Sequence, residues 1–452
     1  MAWLTLLPPM VAIALAVYKR EVIAALLVAL FTSEFLQHAY NPVFGAMATL
    51  ERIVAVFGDA DNTRILVFSL LIGALLAFIR DFGGVAAFVD RISKTGLVNG
   101  PRRVGLVTTF TGIAIFIETN LSVLTAGIFS QSLFDSFHLS RARLAYVIDS
   151  TCAPVSVLIL VNAWGAYILQ LVAPYELANP VASVAYTIPL NFYAWFTLLL
   201  VFYTVSFNRS HGPMRQSDAQ ASSATPELHT ATPTRSRYML LPLAMMVLGI
   251  LAFMVYTGHG KLLAGSGSRS VFWGTALAIL VAYALLRYDK KEPHRKLVEQ
   301  AFSGMGKLLP LVTTVLLAMA IGASMRALGT GAFVAGMVGD FLPAFAVAPL
   351  VFISAAVISF TTGTSWGTFG ILIPIAIPVA QSMGLPVPLV LAAVLGGGVF
   401  GDHCSPISDT TIISSLASGC DHLEHVRTQL PYALVAGLLS TVAYALAGWW
   451  AG

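Results

Sequence analysis

Two short stretches hold most of the residues in this chain that could do chemistry. One is Asp149-Ser-Thr-Cys-Ala-Pro154-Val-Ser156, and the other is Gly401-Asp402-His403-Cys404-Ser405-Pro406-Ile-Ser408-Asp409. Each sets acids and hydroxyls around a proline. That proline removes a backbone donor and clashes with the carbonyl four residues earlier, at Ser150 or Asp402. Two more stretches are rich in small and hydroxylated residues: Thr111-Gly112 followed by Glu118-Thr119-Asn120, and Thr361-Thr-Gly363-Thr364-Ser365-Trp-Gly367-Thr368. Such residues suit the tip of a hairpin, where backbone carbonyls and hydroxyls must be satisfied by protein, water or an ion. They equally allow close helix packing.

The surroundings give these residues their meaning. The chain has 452 residues, 57% hydrophobic and 10% charged, with a mean hydropathy of +0.82. Soluble domains carry about 25% charged residues, so this composition belongs to the bilayer and excludes a water-soluble enzyme. The net charge of +4 does not point to nucleic acid. Cys152, Cys404 and Cys420 are too few and too scattered for a disulfide framework, and Cys404 reads as a small packing residue. Residues 1–17 lack the basic start of a cleavable leader, so they read as a first spanning helix.

Carboxylates at membrane depth are costly and are functional by default. Glu118, Asp149, Asp402 and Asp409 fall there, with no lysine or arginine beside them in sequence. They are either caps on broken helices or ligands of an exchangeable cation. Burial raises a carboxyl pKa, so such a group can hold a proton or a sodium ion near neutral pH. The candidate ion-binding set in the first half is Glu118, Thr119, Asn120, Asp149, Thr151 and Ser156. In the second half it is Thr364, Ser365, Thr368, Asp402, His403, Ser405, Ser408 and Asp409, with sodium placed at Asp402, Asp409 and nearby hydroxyls. His403 is either a proton relay or a neutral tether. The tail Cys420-Asp421-His422-Leu-Glu424-His425 invites a zinc reading, but no second cysteine pair accompanies it. A solvated helix cap is expected there, with no transition metal, and no cofactor is implied. Glu34 and His38 read as interfacial.

Apolar runs near a span's length of ~20 residues lie in the same order in both halves. The fold expected is an all-α polytopic membrane protein of two inverted-topology repeats. Each has about five spanning helices, a re-entrant hairpin and a discontinuous helix. The first repeat is 1–207, with its hairpin at 104–138 and broken helix at 143–172. A mobile linker, 208–237, separates it from the second repeat, 238–452, with hairpin 346–384 and broken helix 387–418. Three anchors support a duplication: Arg80-Asp-Phe-Gly83 with Arg326-Ala-Leu-Gly329, Phe110-Thr-Gly112 with Phe360-Thr-Thr-Gly363, and Cys152-Ala-Pro154 with Cys404-Ser-Pro406. Basic loops, above all 287–307 and 91–103, mark the cytoplasmic side. That rule puts the linker inside and both termini outside, periplasmic or extracellular.

Gly363-Thr-Ser-Trp-Gly-Thr-Phe-Gly-Ile-Leu-Ile-Pro374 and the string from Gly401 through Ser415, with Cys420-Asp-His422 and Thr428-Gln-Leu-Pro-Tyr432 after it, resemble the NhaC family of sodium/proton antiporters. The resemblance implies membership of the wider ion transporter superfamily, with paired hairpins, a dimerising scaffold and an elevator-like movement in a cell (inner) membrane. The expected activity is exchange of Na+ (or Li+) for H+. A sodium- or proton-coupled carrier of a small organic acid or amino acid stands as the alternative. The absence of a phosphate-binding loop or catalytic motif argues against an ATP-driven pump or an enzyme.

Overall fold

The computed structural model describes residues 2–19, 22–84, 87, 99–116, 119–221, 234–262, 265–330, 332–333, 342–406 and 408–451. Among them there is no strand. Lipid offers the backbone no hydrogen bonds, so a chain this apolar must satisfy its amides within helices. Eight of the described helices are long and apolar enough to cross a membrane.

The first half runs α1 (Leu7–Lys19), α2 (Val22–Gln37), α3 (Pro42–Val56) and α4 (Ala60–Asp81), then the pair α5 (Pro101–Ala114) and α6 (Thr119–Ser136). Next come α7 (Arg141–Ser156), α8 (Ala163–Val172), the short α9 (Pro180–Ala185) and α10 (Thr187–Leu190), and α11 (Phe192–Ser206). Helix α12 (Gly212–Gln220) follows. The second half runs α13 (Arg237–Thr257), α14 (Gly267–Ala284), α15 (His294–Lys307) and α16 (Leu309–Leu328). It continues with the pair α17 (Ala344–Thr362) and α18 (Ser365–Ser382), then α19 (Val387–Cys404), α20 (Asp409–Ser418) and α21 (His422–Ala451). Four helices, a hairpin pair, an interrupted helix and a closing helix thus occur in that order twice, with the short α9 and α10 added before the closing helix of the first half and α12 after it.

The spans join two sets of loops. In one set Arg141 donates to Ser418 O at 2.7 Å, Arg143 donates to Asn208 Oδ1 at 2.7 Å, and Lys290 donates to Phe82 O at 3.1 Å. In the other set Ser268 donates to Asp61 at 2.6 Å and Gln381 to Tyr175 O at 3.3 Å. Helices α4, α14 and α7–α8 each run from one set to the other, which defines two faces.

Packing divides the helices into two groups. Helices α1–α4 and α13–α16 form a frame, while α7, α9–α11, α17, α18, α20 and α21 pack around α19, which is buried along nearly its whole length, and α5 and α6 pack on α7. The seam between the groups is made by α8 and α18 lying against α4, α14 and α16. A cavity of about 350 Å³ opens in this seam, lined by Arg52, Asp59, Gln170, Gly322, Arg326 and Pro374 among others.

Three local features differ from the sequence expectation. Residues 294–307, expected in a basic loop, are helical, and 42–56, for which no element was expected, form α3, started by Asn41, whose side chain accepts from Val43 N and Phe44 N. Helix α3 carries Arg52, which donates to Glu34 Oε1 at 2.7 Å; Glu34 is 1% exposed, a buried paired acid and not an interfacial one. Part of the linker is α12, docked on α7 and α21 through Ser140 Oγ donating to Asp218 at 2.5 Å.

Helices α4 and α15 touch backbone to backbone. A Cβ on Gly304 would lie 2.1 Å from Gly73 O, and one on Gly73 would lie 2.4 Å from Gly304 O. Backbone has no rotamer with which to yield. Gly304→Val is therefore expected to force the two helices apart at a cost of roughly 1–3 kcal/mol. The check is its thermal midpoint in detergent, which should fall; an unchanged midpoint would show that the contact can relax.

Candidate ion-binding site

At the tip between α17 and α18 the chain reverses through Gly363, whose φ of 69° is open to glycine at little steric cost. Thr364 is extended and starts α18 without a side-chain cap. The reversal brings Ser365 to α19, where its hydroxyl donates to Asp402 Oδ2 at 2.5 Å. Helix α19 ends two residues later at Cys404. The Asp402 carbonyl, freed by Pro406, accepts from Ser405 N at 3.0 Å. Past the break Ser408 Oγ donates to Asp402 Oδ1 at 2.6 Å and lies 2.9 Å from Thr410 Oγ1. Asp402, Ser365 and Ser408 are all buried. The break itself is held by His422, whose Nε2 lies 2.6 Å from Pro406 O.

The first half builds its break differently. Pro154 stays inside α7, and the chain leaves helix only at Val157. Asn162 restarts it: its Oδ1 accepts from Gly165 N at 3.0 Å, and its Nδ2 donates to Ser156 O at 2.9 Å and Phe116 O at 3.2 Å. Thr119 Oγ1 and Ser156 Oγ meet at 3.3 Å. Glu118 lies outside the described residues, as do the side chains of Asn120 and Asp409.

Asp149 belongs to a different centre. It is fully buried, with Oδ2 accepting from Gln429 Nε2 at 2.7 Å and lying 3.2 Å from His425 Nε2. The same Gln429 amide donates to His403 O at 2.5 Å. The His403 ring is held at both nitrogens, by Ser150 Oγ at 3.0 Å and Tyr193 OH at 2.8 Å.

The structure therefore gathers Ser365, Asp402 and Ser408 at one point, and joins Asp149 to His403 through Gln429. It does not bring Thr151, Thr368 or Ser405 to the Asp402 carboxylate by any described bond. Their hydroxyls donate to Val147 O at 2.8 Å, Thr364 O at 3.0 Å and Phe360 O at 2.6 Å. In the 420–425 tail the exposed Asp421 caps α21, its Oδ1 accepting from Glu424 N at 3.0 Å, while His425 is buried. Among the described residues no group of three or more metal-binding side chains occurs.

A profile described as the Na+/H+ antiporter family matches residues 155–449. The chain belongs to that family. Both strings that resemble NhaC proteins lie within the matched residues. As a member of this antiporter family the chain is a multi-pass membrane protein and a secondary transporter, not an enzyme. It is 30% identical to an uncharacterised protein of Haemophilus influenzae, over 98% of this chain and 90% of that one. It is 32% identical to the malate-2H(+)/Na(+)-lactate antiporter of Bacillus subtilis over 37% of this chain and 35% of that protein. Its fold is similar to that of Neisseria gonorrhoeae MtrF, of a class of antimetabolite efflux pumps. The TM-score is 0.58 at 14% identity, over 89% of this chain and 84% of that one.

The antiporter's sequence did not single out Ser150, Asn162, Tyr193, His425 or Gln429 as site residues. The usable signal was His425 and Gln429 four apart, on one face of an otherwise apolar helix. Gln429→Leu removes a bond to a charged acceptor and strips Asp149 of its strongest tie. The expected loss is about 1.5–3 kcal/mol, seen as a lower unfolding midpoint. A variant as stable as the parent would mean that the amide contributes nothing.

Proposed function

We propose that this chain exchanges Na+ (or Li+) for H+ across a cell (inner) membrane, with Asp402 holding either the cation or the proton. The carrying observation is that both Asp402 oxygens are met by serine hydroxyls, one from a hairpin tip and one from a helix restart. A hydroxyl is both donor and acceptor. Facing the bare carboxylate it donates, and facing a sodium ion beside that carboxylate it turns its oxygen to the metal. The same three side chains thus serve an empty, a sodium-loaded and a protonated site. Only one occupant fits at a time, so sodium and protons compete and an exchange follows.

Movement in this reading is elevator-like: the hairpin group carries the site along the frame, with α8 and α18 as the sliding surface. Two repeats of opposite orientation, 1–207 and 238–452, supply the two hairpins, and the frame mediates a homodimer. The face carrying Arg141, Arg143 and Lys290 is cytoplasmic by its basic loops, which puts both termini outside.

In proteoliposomes holding a pH dye, sodium added outside acid-loaded vesicles should collapse the gradient with no organic solute present. Asp402→Asn should abolish this. Ser365→Ala should raise the half-saturating sodium concentration by about tenfold, the worth of one hydrogen bond to a charged group. Sodium-driven proton movement that survives in Asp402→Asn would move the site elsewhere. One feature favours a second reading, transport of a small organic acid: the seam cavity offers Arg52 and Arg326 to a carboxylate. In that case the gradient collapses only when the acid is added.

The orientation has its own check. Cys420 will not interfere with thiol labelling, because burial first, then Glu424 and Asp421, push its thiol up to about 12, leaving it protonated and unreactive. A cysteine replacing Ser210 should resist an impermeant maleimide applied to intact cells and react after lysis. Ready labelling of intact cells would turn the topology over.

A further inference from the structure

We infer that Asp149 and His425 form a second site, reserved for protons and separate from the Asp402 centre. The assignment of sodium to Asp402 is the one part of it that rests on the exchange reading above.

Both residues are fully buried, and among the described residues His425 is the only ion-pair partner of Asp149. Three polar atoms of this cluster have no hydrogen-bond partner among the described residues: Asp149 Oδ1, His425 Nδ1 and Gln429 Oε1. A structural network satisfies its members, because an unmade bond in a dry interior costs the desolvation of the group. Unfilled capacity on an acid and its adjacent base is what a proton-loading pair requires. With one proton the pair carries a negative charge, and with two it is neutral, which is the cheaper state at membrane depth.

The same geometry disfavours a metal ion. Asp402 is flanked by two hydroxyl oxygens, whereas the described partners of Asp149 are an amide N–H and an imidazole. The amide N–H is turned toward Oδ2 where a cation would sit, and imidazole is a ligand of transition metals rather than of sodium.

The approach from solvent lies along the start of α21, where His425 itself stays buried. A cavity of about 450 Å³ is lined by Gln216, Ser217, Asp421, Glu424, Arg427 and Thr428 among others, against the first two turns of α21. His425 follows Glu424 directly, and Thr428 Oγ1 donates to its carbonyl at 3.0 Å. A proton taken from water at Nδ1 releases the one on Nε2 to Asp149 Oδ2, leaving the ring neutral in its other tautomer.

The neighbours that share the field are His403 and Cys404 on α19, Tyr193 on α11, and Tyr146 on α7. Arg143 lies six residues from Asp149 on α7 and faces Asp218 of α12 at 3.6 Å; the side chain of Asp409 on α20 lies outside the described residues. Gln429 is a positioning residue. It bonds to Asp149 and to the carbonyl of His403, so loading of the pair is felt at the end of α19, beside Asp402.

Infrared difference spectra of the purified protein between about pH 5.5 and pH 8.5 test the assignment. A protonated-carboxyl band should be present that Asp149→Asn removes, that Asp402→Asn retains and that sodium leaves in place. His425→Gln should shift its midpoint by about one pH unit. In proteoliposomes His425→Gln should slow sodium-driven proton movement about a hundredfold, far more than it slows 22Na+/Na+ counterflow. A spectrum unchanged by Asp149→Asn overturns the proposal, as does a band that sodium abolishes or an equal slowing of both exchanges. Should Asp149→Asn not fold, the midpoint in His425→Gln decides alone. If the parent protein shows no response to sodium at all, the sodium reading fails, while the pH-difference band still tests the proton site.

Discussion

A carboxylate carried into a bilayer must be met by protein dipoles, because water is absent and the charge is expensive. Asp402 imposes that condition, and much of the surrounding architecture answers it. Ser408 lies six residues beyond Asp402. In an unbroken helix, at 100° per residue, it would point about 240° away and roughly 9 Å further along the axis. It could not reach. The interruption at Ser405–Ser408 folds it back to 2.6 Å from Oδ1. Ser365 arrives only because the hairpin turns at Gly363. The interrupted helix and the tip between α17 and α18 are therefore one device, and neither would satisfy the acid alone.

The need for such a device explains where the chain is dense and where it is not. Helix α19 admits close neighbours by its glycines: a Cβ on Gly397 would fall 2.2 Å from Phe352 O, and one on Gly401 2.2 Å from Ala356 O. Helix α17 is thereby pressed onto the face next to the one that carries Asp402, and its Ser359 donates to Gly398 O at 2.6 Å. The seam with the frame is built otherwise, from single small contacts such as Gly370 against Ala318 and Gly322 against Pro374, beside an open cavity. Tight packing fixes the site within its own group, and a cavity opens between part of that group and the frame.

What was legible in the sequence followed from local chemistry. Proline, glycine and hydroxyls announce a break, and the structure interrupts the helix between α19 and α20. Pro154 misled in detail, because a proline near the end of a helix costs only one carbonyl its partner; the turn at Asn162 sets the first break. Threonine hydroxyls could not be apportioned beforehand. Thr151 and Thr368 bond the carbonyl four residues back, as helical threonines do in lipid, and a free ligand hydroxyl has the same sequence signature. Helix α15 is short and carries charge, so it reads as a loop. The partners of Asp149 lay beyond reach for another reason: His425 and Gln429 are 276 and 280 residues away, and only the tertiary fold makes them neighbours.

Setting Cys152-Ala-Pro154-Val-Ser156 on Cys404-Ser-Pro406-Ile-Ser408 aligns Ser150, not Asp149, with Asp402. The acid of the first half is displaced by one position. On a helix one position is a rotation of 100°, enough to turn a side chain from one neighbour to the next. Asp402 faces the tip of its hairpin and the restart of its own helix. Asp149, one step off that register, faces α21 instead and finds His425 and Gln429. The residue that keeps the register, Ser150, is neutral and bonds His403, next to Asp402. The two acids thus stand in different surroundings, one among hydroxyls and one beside an imidazole. Hydroxyl oxygens suit a cation and an imidazole suits a proton, so a shift of a single residue is enough to set the two acids in chemically different surroundings.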